Sequence, residues 1–161
     1  MRVKSVPEPP GSIDALGAIR RAVPLVPEPE ASCCDRLAAS TAIDPEAASD
    51  WLTFLKGLEL VRESESGFHR TREDPDLGEA LLSGVYGARE VREILEEAGE
   101  VLAAEEVAER FDAIPRWERH HHRDPEAVWR ERVERLLDWL VLVGLAERRD
   151  GEYVSRSGSR R

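Results

Sequence analysis

The chain has 161 residues, of which 41% are hydrophobic and 35% are charged, and its formal net charge is −10. This length suits one domain or two small ones, and no apolar run approaches the roughly 20 residues that cross a bilayer. The first residues run into prolines where a signal peptide would have an apolar core. We therefore expect a cytoplasmic protein that does not span a membrane.

The N-terminal part of the chain predicts a short arm followed by two helices. Residues 1–11 are rich in proline and lack periodicity, which is typical of a flexible arm. Ser12 can then cap a helix whose apolar residues recur at helical spacing. A second helix passes through Cys33 and Cys34 and ends near Ser40. Adjacent cysteines pair poorly with each other, so we expect both to act as small apolar residues of a reduced protein.

A third helix and a hairpin complete the first predicted unit, residues 12–72. Asp44 is expected to cap this helix with its carboxylate, and Pro45 suits its first position because a missing N–H costs nothing there. Trp51 belongs to the apolar stripe that would fill the core. Two strand-like segments then flank a predicted loop at residues 63–67.

The rest of the chain repeats this order of elements. We predict a linking helix over residues 73–88 and a second unit over residues 89–155. The second unit ends in a hairpin around Asp150-Gly151, which is a strong tight-turn signal. Residues 156–161 consist of Ser, Gly and Arg and predict a disordered tail.

The tetrapeptide Asp-Pro-Glu-Ala occurs at residues 44–47 and again at 124–127. In each place it starts a predicted third helix that runs to a Gly-Leu pair, at Gly57-Leu58 and at Gly144-Leu145. These spans are 13 and 20 residues long, and the difference of seven is about two helical turns. The matching starts, ends and hairpins predict one fold that is present twice.

Several stretches resemble a known family. Residues 36–52 and 54–61 resemble the helix-turn-helix core of winged-helix proteins, and residues 101–111 resemble the second helix of another such unit. Over residues 12–155 the chain resembles tandem winged-helix proteins. The resemblance implies a mainly α fold with small β-hairpin wings and the function of a non-catalytic, DNA-binding transcription regulator.

The balance of basic residues resembles that of salt-adapted archaeal proteins. The chain has 21 arginines and two lysines beside 33 acidic residues. A high genomic GC content also favours arginine, so the composition has two explanations. Together with the tandem units, it suggests winged-helix proteins of the haloarchaeal type.

Charge is unevenly distributed along the chain. Residues 1–115 carry 12 basic and 24 acidic side chains, whereas residues 116–161 carry 11 basic and nine acidic ones. Acidic surfaces repel nucleic acid, so we place a contact with double-stranded DNA in the second unit. The alternative is a solvated helix face with ion pairs such as Arg130–Glu134 and Glu131–Arg135. The candidate DNA-binding residues are Arg116, Arg119, Arg123, Arg130, Arg132, Arg135, Arg148 and Arg149.

An insertion at residues 112–123 stands where the turn before a third helix normally has three or four residues. Consecutive residues of a helix point about 100° apart, so its three adjacent histidines would not converge there on one metal ion. We therefore expect no metal site and no cofactor. The candidate partner-binding residues of the insertion are Trp117, His120, His121 and His122.

Two functions remain open from the sequence. No Gly-rich phosphate loop, nucleophile elbow or zinc-binding H-E-x-x-H helix is present, so we do not expect an enzyme. The first hypothesis is a DNA-binding regulator. The second is a winged-helix scaffold that binds a protein partner or forms a homodimer without binding DNA. The apolar excess of the last predicted helix would suit such a contact.

Overall fold

The computed structural model describes residues 3–114 and 124–156, and the chain divides into two compact units, Met1–Val85 and Tyr86–Arg161. Within the described residues, each unit consists of helices and one two-stranded antiparallel hairpin. This confirms the predicted fold class, mainly α with small β-hairpin wings. We call each hairpin the wing of its unit.

The first unit begins with a capped helix, as predicted. The hydroxyl oxygen of Ser12 accepts a hydrogen bond from the backbone N–H of Ala15 at 3.1 Å. Leu16, Leu37 and Leu55, which come from three different helices, are each no more than 2% exposed and form part of the core. The elements are α1 (Ile13–Arg21), α2 (Glu30–Ser40), a 3₁₀ turn (Pro45–Ala47), α3 (Ala48–Gly57), β1 (Val61–Ser64), β2 (Gly67–Arg70) and α4 (Leu77–Gly84).

Two local predictions in the first unit are wrong. Asp44 does not cap with its carboxylate, because a 3₁₀ turn precedes α3 and the N–H of Ala47 donates to the backbone carbonyl of Asp44 at 2.9 Å. The wing has a two-residue turn instead of a loop over residues 63–67, since Ser64 pairs directly with Gly67. The hydroxyl of Ser64 supports this tight turn by accepting from the N–H of Ser66 at 3.3 Å.

The predicted flexible arm is wrong for the part of it that contains Val3 and Val6. The N–H of Val3 donates to the carbonyl of Gly84 at 2.8 Å, and Val6 is only 4% exposed. Isolated valines among prolines give no periodic signal, yet the segment buries Val6 and is attached through the backbone of Val3. The helix predicted over residues 73–88 is also shorter, because α4 ends at Gly84 and the backbone is extended at Val85.

The second unit contains a longer third helix, α7 (Pro125–Leu142), whose start is capped as predicted. The carboxylate of Asp124 accepts from the N–H of Ala127 at 3.0 Å. Asp150 and Gly151 have φ angles of 53° and 82° and form the two-residue turn of the wing, which confirms the Asp-Gly hairpin signal. The described elements are α5 (Ala88–Ala98), α6 (Ala104–Arg110), α7 (Pro125–Leu142), β3 (Ala146–Arg149) and β4 (Glu152–Ser155).

Tryptophans of the third helix are buried in both units, including Trp51, which was predicted to lie in the core. Trp51 is 6% exposed in the first unit, and Trp129 and Trp139 are 2% and 0% exposed in the second. The ring of Trp129 stacks on that of Phe111, with centroids 5.3 Å apart. Aromatic side chains on the third helix therefore contribute to the core of each unit.

The end of the third helix and the wing correspond between the units at a constant separation of 85 positions. In the first unit the N–H of Leu60 donates to the carbonyl of Leu55 at 3.0 Å, and in the second Leu145 donates to Leu140 at 2.8 Å. This bond closes each helix end in the same way. Both wings then have four-residue strands and a two-residue turn.

A β-bridge joins each wing to the segment before the second helix of its unit, and in the first unit the N–H of Arg70 also donates to the carbonyl of Pro24 at 2.8 Å. Glu28 exchanges two backbone hydrogen bonds with Phe68, at 3.0 and 2.8 Å, and Leu102 does so with Tyr153, both at 2.8 Å. Glu28 and Leu102 are 74 positions apart, whereas Phe68 and Tyr153 are 85 apart. The second unit therefore has 11 extra residues between the bridge and the wing, in an interval that includes the predicted insertion.

The two tetrapeptides are not at equivalent positions, although the units share a fold. Glu59, with a φ of 65°, takes the place in the first unit that Gly144, with a φ of 87°, takes in the second. Asp44 lies 15 residues before Glu59 and Asp124 lies 20 residues before Gly144. The alignment of Gly57 with Gly144 is therefore wrong, and the offset between the tetrapeptides is five residues instead of seven.

This correspondence predicts opposite effects for a reciprocal pair of substitutions. A side chain with a Cβ costs about 1 kcal/mol in the left-handed region, and glycine avoids that cost. Glu59→Gly should therefore raise the urea midpoint of the first unit, and Gly144→Glu should lower that of the second, as followed by circular dichroism. Shifts of the same sign for both variants would contradict the equivalence.

Candidate nucleic-acid interface

The outward face of α7 is mainly acidic. Its buried face is defined by Trp129, Val133 and Leu136, which are no more than 2% exposed and recur at helical spacing. Among the residues that the structure describes, one arginine stands between three carboxylates on the opposite face. The exposed side chains of that face are Glu126, Ala127, Arg130, Glu131 and Glu134.

Two further arginines lie on a flank of α7, half-buried. The guanidinium carbon of Arg132 is 4.8 Å from the ring centroid of Trp129, a cation–π contact. Arg135 lies 3.8 Å from the carboxylate of Glu131, which is one of the two ion pairs predicted from the sequence. Residues three apart are neighbours on a helix, so Arg132, Arg135 and Asp138 follow one another along this flank.

The wing adds a third arginine beside Asp138. The hydroxyl of Tyr153 donates to Oδ1 of Asp138 at 2.6 Å, and Nη1 of Arg148 is 3.8 Å from the same oxygen. The guanidinium of Arg148 also lies 5.4 Å from the ring centroid of Tyr153. We call Arg132, Arg135 and Arg148 the arginine row, because Asp138 follows Arg132 and Arg135 along the flank of α7 and itself contacts Arg148 of the wing.

The surroundings of Tyr153 raise the pKa of its hydroxyl. Burial, and then the hydrogen bond and negative charge of Asp138, raise the pKa of Tyr153 above its ordinary value of 10.0. Tyr153 therefore remains a neutral hydrogen-bond donor at physiological pH. Its neutral hydroxyl keeps the wing fixed to α7 close to Arg148.

Two more arginines, Arg149 of the wing and Arg156 just after it, lie on either side of Glu147. Arg149 donates to Oε1 of Glu147 at 2.9 Å, and Arg156 lies 3.9 Å from Oε2 of the same residue. The side chains of Arg149 and Arg156 are 61% and 54% exposed. Such exposed pairs are weak, typically about 0–1 kcal/mol, so the guanidinium of Arg149 can exchange Glu147 for another anion.

Comparison with known proteins settles the family. Residues 1–160 match the family model of the halobacterial double winged helix domain. The chain belongs to this family. The match confirms the tandem winged-helix resemblance and its haloarchaeal type, and the winged-helix fold is an architecture commonly used to bind DNA. No curated protein and no solved structure matches the chain.

Part of the predicted site of this double winged-helix chain lies outside the described residues. Arg130, Arg132 and Arg135 are on α7, and Arg148 and Arg149 are on the wing, but Arg130 is on a different face from the arginine row. The structure also describes no ion pair between Arg130 and Glu134 within residues 124–156. The predicted residues outside the described part are Arg116, Trp117, Arg119, His120, His121, His122 and Arg123.

The third helix of the first winged-helix unit carries fewer basic side chains than α7. On α3 the exposed charged residues are Asp50 and Lys56, and Lys56 is paired with Glu63 of the wing at 2.8 Å. Within residues 3–114 and 124–156, no group of three or more potential metal ligands comes together, and no helix has the length and apolarity to cross a bilayer.

Sequence reasoning missed the two residues that organise the arginine row. Asp138 and Tyr153 are far apart in sequence, and neither belongs to a motif. The one available signal is that Asp138 follows Arg135 by three positions on a predicted helix. Recognising its connection to the wing required the register of β3 and β4, which only the structure provides.

The raised pKa of Tyr153 predicts a distinctive alkaline titration. In a Tyr86→Phe variant Tyr153 is the only tyrosine, and its phenolate absorbance should appear only above pH 10. Adding Asp138→Asn should lower this pKa, because the variant removes a negative charge. An ordinary pKa that does not respond to Asp138→Asn would contradict the hydrogen-bonded pair.

The same shift predicts the pH dependence of stability. The folded-state pKa of Tyr153 exceeds the unfolded value, so its stabilising contribution is present below about pH 10 and is lost as the pH rises through the folded pKa. Tyr153→Phe should therefore be less stable than the parent at neutral pH, and the difference should shrink in alkali. Urea titrations at several pH values test this, and a constant difference would contradict it.

Proposed function

We propose that this protein is a DNA-binding regulator whose second winged-helix unit contacts the DNA. The observation that carries the proposal is the arginine row, in which Arg148 of the wing is held beside the flank of α7 by Asp138 and Tyr153. Arginine is suited to bidentate contacts with phosphate, and a wing commonly lies along the DNA backbone. The exposed Arg149 and Arg156 would extend these phosphate contacts.

In this proposal, contacts to phosphates contribute more to DNA binding than contacts to base edges. The outward face of α7 exposes Glu126, Glu131 and Glu134, and carboxylates repel the backbone of the groove they would enter. Arg130 is the arginine on that face that would reach a base edge. Salt weakens both the repulsion and the attraction, so the balance between them depends on ionic strength.

The proposal predicts a measurable salt response for two wing substitutions. Arg148→Ala with Arg149→Ala should weaken binding to duplexes of any sequence and reduce the slope of log affinity against log salt by about two, roughly one for each phosphate that is no longer neutralised. Fluorescence anisotropy with a labelled duplex, over a range of KCl concentrations, measures both quantities.

A matched control comes from the other wing. Arg62 lies on β1 of the first unit, so Arg62→Ala removes the same type of side chain from the equivalent hairpin. It should leave affinity and slope unchanged. An equal loss per arginine removed in the two variants would indicate nonspecific attraction to arginine, and unchanged binding in the double variant would reject the wing as the contact.

The acidic face of α7 favours a second candidate function, the binding of a basic protein partner without DNA. Replacing Glu131 and Glu134 by glutamine separates the two functions. If α7 faces DNA, loss of two repelling charges should strengthen DNA binding at low salt by roughly tenfold. Absence of DNA binding at low salt in both the parent and this variant would support the protein-binding function instead.

A further inference from the structure

A cleft of about 730 Å³ opens in the first unit between α1 and the segment that follows the wing. Its volume is in the range typical of small-molecule sites. Leu16 and Leu60, which are 2% and 4% exposed, form an apolar floor. Ile13 and Leu25 at the cleft are 46% and 42% exposed. An apolar ligand would cover all four.

One arginine of the cleft is structural. Arg20 donates to Oδ1 of Asp74 at 2.7 Å, to the carbonyl of Thr71 at 2.7 Å and to the carbonyl of Glu73 at 2.6 Å. Its side chain is only 16% exposed. These bonds attach the segment after the wing to α1, so Arg20 shapes the wall of the cleft and its charge is balanced by Asp74.

The other charged groups of the cleft leave it positive. Arg21, Arg70 and Arg72 line it, against Asp14. The buried Nε atoms of Arg70 and Arg20 both have no hydrogen-bond partner among the described residues. The structure describes no ion pair between Arg21, Arg70 or Arg72 and a carboxylate within residues 3–114 and 124–156, so the charge of these three arginines is not balanced as that of Arg20 is. This positive site stands out because residues 1–85 carry nine basic and 15 acidic side chains.

A glycine in the middle of α1 keeps the cleft open. Gly17 lines the cleft, and a Cβ there would meet only Nη1 of Arg21, at 3.4 Å. Nothing in the backbone therefore requires glycine, although glycine costs a helix interior about 1 kcal/mol relative to alanine. Glycine at this position leaves space in the cleft although alanine would give a more stable helix, as expected where a ligand occupies that space.

We propose that this cleft binds a small molecule with an apolar body and one anionic group. The apolar body lies on Leu16 and Leu60 beneath the exposed Ile13 and Leu25, and the anion accepts from Arg70 with support from Arg21 or Arg72. The site is in the first unit and does not depend on DNA binding by the second, so either proposal can fail without the other.

Anilinonaphthalene sulfonate tests this proposal, because it combines an aromatic body with one anion and fluoresces on transfer from water. It should bind the full-length protein at one saturable site. Phenylnaphthylamine, which has the same aromatic body without the sulfonate, should bind at least tenfold more weakly. Equal affinity for the two probes, or no saturable binding of the sulfonate, would overturn the proposal.

Variants locate the site. Gly17→Leu fills the cleft with a helix-favouring side chain and should abolish binding, and Arg70→Gln should weaken sulfonate binding at least tenfold while affecting phenylnaphthylamine little. Gly11→Leu is the matched control, since a Cβ at Gly11 meets nothing within 4 Å and the residue does not line the cleft. Unchanged sulfonate binding in Gly17→Leu would overturn the proposal.

A measurement on the unmodified protein covers the case in which a variant fails to fold. Sulfonate titration followed by amide chemical shifts should move resonances of α1 and of residues 70–77. Shifts confined to other segments would show that the probe binds elsewhere and would reject this cleft.

Discussion

The fold of each unit depends on one backbone bridge between the segment before the second helix and the second strand of the wing. Glu28–Phe68 and Leu102–Tyr153 each bring two residues distant in sequence into a pair of hydrogen bonds. An isolated two-stranded hairpin is marginal in water, and a third backbone partner together with a buried aromatic ring stabilises it. Phe68 and Tyr153 are 7% and 1% exposed, so the bridge also attaches the wing to the core.

The equivalent wings differ in the side chains that they expose. At the constant separation of 85 positions, Arg148, Arg149 and Arg156 correspond to Glu63, Ser64 and Thr71. The shared geometry of the backbone bonds makes this comparison direct, because Arg156 N–H donates to Leu145 as Thr71 N–H donates to Leu60, at 3.1 and 3.0 Å. The surfaces of the two units therefore differ on equivalent backbones, and a phosphate contact fits the second wing better than the first.

Helices, caps and the Asp-Gly turn were predictable because their signals are local. Ser12 and Asp124 cap as their positions indicate, and Gly151 accepts the positive φ that its turn requires. The attachment of Val3 to Gly84 and the 3₁₀ turn after Asp44 were not predictable, because each depends on a bond to a backbone carbonyl that the sequence does not reveal.

The candidate site was predictable only as a set of residue types. The sequence indicated which arginines belong to α7 and to the wing, but not that Arg130 faces away from Arg132 and Arg135. Periodicity would have separated these faces once the buried stripe was known. The role of Asp138 depends on Tyr153 arriving from β4, which is a long-range contact that no local pattern encodes.

The carboxylates near the arginine row have a consequence for how DNA would be bound. Glu131 is 3.8 Å from Arg135, Asp138 is 3.8 Å from Arg148, and Glu147 is 2.9 Å from Arg149. Separating an exposed pair costs little, so these contacts hold the guanidinium groups in position without preventing their transfer to phosphate. The carboxylates stay close after the transfer and reduce the net attraction.

Binding then requires the long arginine side chains to reach further than the carboxylates, so that each phosphate is nearer to a guanidinium than to an acid. The wing meets this condition better than the middle of α7. Arg148 and Arg149 are 53% and 61% exposed, whereas the side chain of Glu131 is 70% exposed and that of Arg135 only 35%. An acidic protein of this design would therefore contact DNA first through the wing, with α7 contributing at its flank.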